Sequence, residues 1–136
     1  MSLIDAIVSS GTGMNAQSLR LNTVASNLAN VETTSATPQK AYHAKMPVFQ
    51  TIMLNEKSAT EGVRVLKVED DKTPVQKIYD PGNPQANKDG YVYGNNVNRI
   101  EQLTDMISAS QSYQADAQVA NTCKALLMNT ISMIKE

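Results

Sequence analysis

The chain has 136 residues, one domain's worth, and a net charge of −1, which argues against a nucleic-acid partner, because such proteins carry a basic patch or stripe. Trp is absent and there are one Phe and five Tyr, so a core built largely from Ala and Met is expected to be thin. Cys123 is the single cysteine; it excludes an intrachain disulfide and reads as a buried structural thiol.

Charge is unevenly spread. Residues 1–36 hold only Asp5, Arg20 and Glu32, whereas the 60 residues of segment 37–96 hold 15 charged residues. The middle has the surface of an ordinary soluble domain and the ends do not. The start of the chain lacks a positive cluster, and the apolar run 3–8 is broken by Asp5, so it does not read as a cleaved secretory signal. No stretch approaches the ~20 apolar residues of a membrane span.

The first predicted element is a helix from Ser2 to about Val31. Ile7, Met14, Leu21 and Leu28 recur every seven residues, with Val24 and Val31 on a flanking line, the spacing by which helices pack along their length. Ser2 suits an N-cap and Asp5 suits the positive end of the helix dipole. Gly11 and Gly13 each cost up to ~1 kcal/mol relative to Ala, so segment 1–12 is expected to need packing partners to hold its shape. Asn22, Ser26, Asn27 and Asn30 supply amides and hydroxyls where exposed helices normally carry charges, which favours contacts across packed helices.

A hydroxyl-rich loop, 31–38, follows and closes on Pro38. The middle reads as short extended segments: 42–49, interrupted by Pro47; 63–68, the clearest strand; a charged turn over 69–74; and 75–79, pairing back on the strand before it. Asp80-Pro81-Gly82-Asn83-Pro84 forbids regular structure, Lys88-Asp89-Gly90 is a turn, and 91–93 is a short strand. A second long helix is predicted over 97–136, with Leu103, Ile107, Tyr113, Ala117, Ala120, Leu127, Ile131 and Ile134 as its packing residues. Ala117 and Ala120 let helix backbones approach, while Leu127, Ile131 and Ile134 supply most of the apolar burial against the first helix.

Enzyme readings fail for lack of parts. His43 is the only histidine and has no partner in any recognised metal or catalytic spacing. Gly11-Thr12-Gly13 is too short to cradle a phosphate and follows no strand. Glu69-Asp70-Asp71 lacks the spaced oxygens of a calcium loop and is flanked by Lys67 and Lys72. No cofactor and no small-molecule substrate is expected.

Several segments resemble one family. Ser26-Asn27-Leu28-Ala29-Asn30, closing the first helix, is similar to the S-N-[LI]-A-N signature of bacterial flagellar rod and hook proteins. Segments 80–92, 96–98 and 108–115, with Tyr42-His43-Ala44-Lys45 and Val48-Phe49-Gln50, resemble in order the D-P-x-x-P, N-V-[DN], A-S-R-x-Y-Q-A and Y-x-A-K…V-F-Q stretches of its proximal-rod members. Gln111 stands where an arginine is common in that family.

The resemblance implies a mainly α fold with a small β-rich insertion, in which the terminal helices pair as an antiparallel coiled coil. Its segments are 1–36, 37–96 and 97–136, with the middle facing outward. It implies a structural subunit of the proximal rod, in the flagellar basal body across the periplasmic space. Such a subunit leaves the cytoplasm unfolded, through the flagellar type III export apparatus, without signal cleavage. The implied partners are copies of itself and other proximal-rod, export-gate adaptor and distal-rod subunits. Helix packing in and between subunits falls to Ile7, Met14, Leu21, Val24, Asn27, Leu28, Asn30 and the eight residues named in the second helix. The rival reading is a soluble helical adaptor or a flagellar export chaperone.

Overall fold

The computed structural model describes residues 2–56 and 59–134. Two long helices flank a small β region: α1 (Leu3–Ala29), β1 (Lys45–Asn55), β2 (Thr60–Asp70), β3 (Lys77–Tyr79), β4 (Tyr91–Tyr93) and α2 (Arg99–Ile134). The mainly helical fold with a β insertion is as the sequence implied.

Helix α1 begins where its chemistry dictates. The Asp5 amide donates to Ser2 Oγ at 3.1 Å and the Ser2 amide donates to Asp5 Oδ2 at 2.9 Å, a capping box that satisfies two donors the helix cannot. At the other end, Asn30 is the C-cap. Just past the last turn, the carbonyls of Asn30 and Val31 accept from Asn95 Nδ2 at 3.0 and 2.8 Å, that of Asn30 also from the Thr33 amide and hydroxyl at 3.1 and 2.7 Å. Helix α2 starts on Asn98, whose Oδ1 accepts from the Ile100 amide at 3.1 Å, and runs 36 residues, roughly 54 Å at 1.5 Å per residue.

The helices run antiparallel: residues stepping up α1 meet residues stepping down α2. Gly13 lies against Asp116, Arg20 pairs with Asp105 at 2.6 Å, and Asn27 Nδ2 donates to Gln102 Oε1 at 2.9 Å. The seam on α2 passes through its buried residues Gln102, Ala109 and Cys123, spaced by seven with Asp116 on the same line. These side chains are small or polar. The expectation that Ile131 and Ile134 fill the seam is not met within the chain: they are 50 % and 79 % exposed, on the stretch of α2 that continues past Leu127 towards its end.

β1 and β2 form an antiparallel hairpin with bulges at Val48/Phe49 and Met53/Asn55. Three expectations change here. First, β1 runs straight through Pro47, which pairs with Val68. Lys45 turns both its backbone groups outward to Asn27, so two residues on, the missing N–H of Pro47 also falls on the outer edge and breaks no ladder bond. Second, Glu69 and Asp70 end β2 rather than forming a turn. Third, the segment ending at Tyr79 pairs with β4, not β2, because the irregular loop between them brings Asp80 N to Gly90 O at 3.0 Å. Gly90 has φ +81°, a backbone that favours glycine.

The hairpin does not stand away from the helices. Ser9 Oγ donates to Glu61 O at 2.8 Å and the Val63 amide donates to Thr12 Oγ1 at 3.1 Å. Gly62 permits this closeness, since a Cβ there would stand 2.8 Å from Thr12 Oγ1 and 2.7 Å from Leu54 Cδ1. The apolar core is thin, as composition implied: Ala16, Val24, Ala41, Ala44, Val92, Ala109 and Cys123.

Candidate assembly surface

What the fold leaves uncovered is unusual in amount and in kind. The chain exposes 9209 Å², against about 7,000 Å² for a compact monomer of its mass by the usual surface scaling. Opposite the seam, one line runs the length of α2: Ile100, Leu103, Ile107, Gln111, Gln114, Gln118, Asn121, Ala125, Met128 and Ser132. Every one of these is exposed and none is charged. An outer helix face in contact with water normally carries charge. Towards the start of α1, Ile4 and Val8 are 62 % and 47 % exposed, and the end of α2 adds Leu126, Met128, Met133 and Ile134.

The sequence-predicted packing residues separate into two groups. Val24 and Asn27 are buried, and Ile7, Met14, Leu21, Leu28, Asn30, Ala117, Ala120 and Leu127 are half-buried. Leu103, Ile107, Tyr113, Ile131 and Ile134 are exposed. The fold brings the α1 set against the hairpin and α2, and leaves most of the α2 set turned outward.

Sequence reasoning missed the carboxamides that hold the junction of helices and hairpin. Asn96 Oδ1 accepts from the Ala44 amide at 2.6 Å, and its Nδ2 donates to the carbonyls of Asp71 and Thr73 at 3.1 and 3.0 Å. Asn95 caps α1, as above. The cluster Asn95-Asn96-Val97-Asn98 was the available signal: three amides beside a helix start have more hydrogen-bonding capacity than one cap requires.

Charged groups lie mainly outside this junction. Arg99 pairs with Glu32 at 2.7 Å. Lys67, by hydrogen bond and charge, holds the Glu69 carboxyl below its usual range. The Asp71 carboxyl is lowered by the amide and hydroxyl of Thr73, both of which donate to its Oδ1 at 2.9 and 2.8 Å. Among the described residues no group of His, Cys, Asp and Glu is placed to hold a metal ion, and no helix is long and apolar enough to cross a membrane.

Known proteins match this sequence over nearly its whole length. Residues 7–37 fit the family model "Flagella basal body rod protein" and residues 88–133 fit "Flagellar basal body rod FlgEFG protein C-terminal". The chain is similar to the flagellar basal-body rod protein FlgC of Buchnera aphidicola subsp. Schizaphis graminum, 42 % identical over 135 residues and 98 % of each chain. It is likewise similar to FlgC of Yersinia enterocolitica, 40 % identical over 133 residues and 98 % of each chain. FlgC of Borreliella burgdorferi is 32 % identical over 151 residues, 99 % of each chain.

The chain belongs to the flagellar basal-body rod protein family.

As a flagellar rod protein it is a structural subunit of the basal body and not an enzyme, and it assembles with other rod components. The two family-matched segments carry most of α1 with its following loop, and β4 with most of α2. They meet at the asparagine junction. The adaptor and chaperone reading is not favoured, since the relatives named are rod proteins over nearly the full length.

Proposed function

We propose that the chain is a proximal-rod subunit whose terminal helices pair as an antiparallel coiled coil and pack side by side with neighbouring rod subunits and further copies, passing motor torque along the rod. The three segments 1–36, 37–96 and 97–136 then act as one unit, and the rod lies across the periplasmic space. The subunit reaches it through the flagellar type III export apparatus, with no signal cleaved.

The observation that carries this reading is the uncharged, exposed outer line of α2. Packed helices of similar chemistry would cover it, matching apolar Ile100, Leu103 and Ile107 by burial and Gln111, Gln114, Gln118 and Asn121 by hydrogen bonds. The exposed area above that of a compact chain, roughly 2,000 Å², compares with about 800 Å² per partner in a standard interface. That leaves room for more than one neighbour.

Ile107→Asp tests it. The residue is 60 % exposed, so the variant should fold and be exported but fail to enter the rod, and cells should be non-motile. Normal incorporation and swimming would refute packing through this face.

A further inference from the structure

We infer that Asn27 is the positioning residue that makes hairpin docking and helix pairing a single event. It sits in the last turn of α1 and is 1 % exposed. Its carboxamide is fully used. Oδ1 accepts from the Lys45 amide at 2.8 Å and from the Tyr42 hydroxyl at 3.0 Å. Nδ2 donates to the Lys45 carbonyl at 2.9 Å and to Gln102 Oε1 at 2.9 Å.

Two features follow from the geometry. Towards Lys45, the carboxamide behaves as a neighbouring strand: it takes the N–H and gives to the C=O of one residue, as a ladder partner would. The outer edge of β1 is closed at its start without another strand. Towards α2, the remaining N–H reaches Gln102, itself 8 % exposed. A buried carboxamide that loses one partner leaves a donor or acceptor unmet, and that costs more than the bond itself was worth. Undocking the hairpin therefore weakens the hold on α2, and moving α2 weakens the hold on the hairpin. The far end of the hairpin is latched separately by Ser9 and Thr12, whereas Asn27 links all three elements through one functional group.

Such coupling is reciprocal, which supplies the test. Amide hydrogen exchange is measured on the full chain for Gln102→Leu, Gln102→Glu and Tyr42→Phe. Gln102→Leu should speed exchange of the Lys45 amide about tenfold, the equivalent of one net hydrogen bond near the top of its range, although Gln102 makes no bond to Lys45. Gln102→Glu keeps an acceptor for Nδ2 and should restore most of the protection. Tyr42→Phe, which removes the loop hydroxyl that bonds Asn27 Oδ1 and Ser26 Oγ, should speed exchange at Ala109 in α2. The Val92 amide, in the separate β3–β4 sheet, should keep its protection in all three.

The inference is overturned if each substitution affects only its own side of Asn27. It is equally overturned if Val92 loses protection in step with Lys45, which would make these residues ordinary contributors to global stability.

Discussion

Gly13 of α1 lies beneath Asp116 of α2, so closely that a Cβ at position 13 would stand 2.5 Å from Asp116 Oδ2. Gly11, two residues earlier in the same helix, has nothing within 4 Å of the corresponding point. The two glycines look alike in the sequence and differ in what they do. Gly11→Ala should stabilise the chain by about 0.5–1 kcal/mol through helix propensity. Gly13→Ala should show no such gain, because the Asp116 carboxylate must move aside. Adding Asp116→Ala to it should recover the gain. Denaturant midpoints of the three variants check this.

Ala109 is fully buried at 0 % exposure, at the middle of the seam, whereas Ala117 is only half-buried. Ala109→Leu should cost about 1–3 kcal/mol by overfilling a close helix contact, and Ala117→Leu should cost less. Thermal unfolding of both variants, with motility as the second readout, measures the order. The reverse order would place the seam on the other side of α2.

Leu21 and Leu28 are half-buried within the chain, so truncation to Ala should cost about 1–3 kcal/mol, less than for a fully buried leucine. On the proposed export route the chain leaves unfolded and does not need its packing, so both variants should still be exported, yet they should fail to build a rod. Measuring each variant in the medium and in purified basal bodies separates the steps. Accumulation inside the cell would mean that these leucines are read by the export machinery.

Much of this fold was legible in the sequence because its signals are local. Ser2 and Asp5 mark the start of α1, the amides at Asn27–Asn30 lie where it stops, and Pro81, Pro84 and Gly90 mark the irregular loop. Strand pairing was not legible: whether residues 77–79 meet β2 or β4 depends on how an eleven-residue loop folds back. The seam of α2 was misplaced for a different reason. Periodicity selects large apolar side chains, and Ile107 and Ile131 fit a heptad. The antiparallel contact instead selects what allows close approach, namely Ala109, Gln102 and Cys123. Asn27 was picked out as a packing residue, but its partners, Lys45 and Gln102, lie 18 and 75 residues away, and no local pattern names them.

The junction should hold across a wide pH range, since the carboxamides of Asn27, Asn95, Asn96 and Asn98 do not titrate. A titrating group beside it is Asp71, whose carbonyl accepts from Asn96 and whose carboxylate accepts from Thr73. With the folded-state pKa depressed, its contribution to stability is present above the ordinary carboxylate value and is lost as pH falls through the lowered one. A carboxylate titration by NMR should place the Asp71 midpoint below the ordinary range. In Thr73→Ala, which removes the hydroxyl donor, the midpoint should rise.

The central claim is that the uncharged outer face of α2 is covered by other subunits in the rod. The most direct measurement is the reactivity of a cysteine placed at Gln114, in a Cys123→Ala background, towards a soluble maleimide. The isolated chain should react quickly, since position 114 is exposed, and purified basal bodies should be protected until the rod is dissociated. Equal reactivity in the isolated chain and in intact basal bodies would contradict the account, because α2 would then face solvent in the assembled rod.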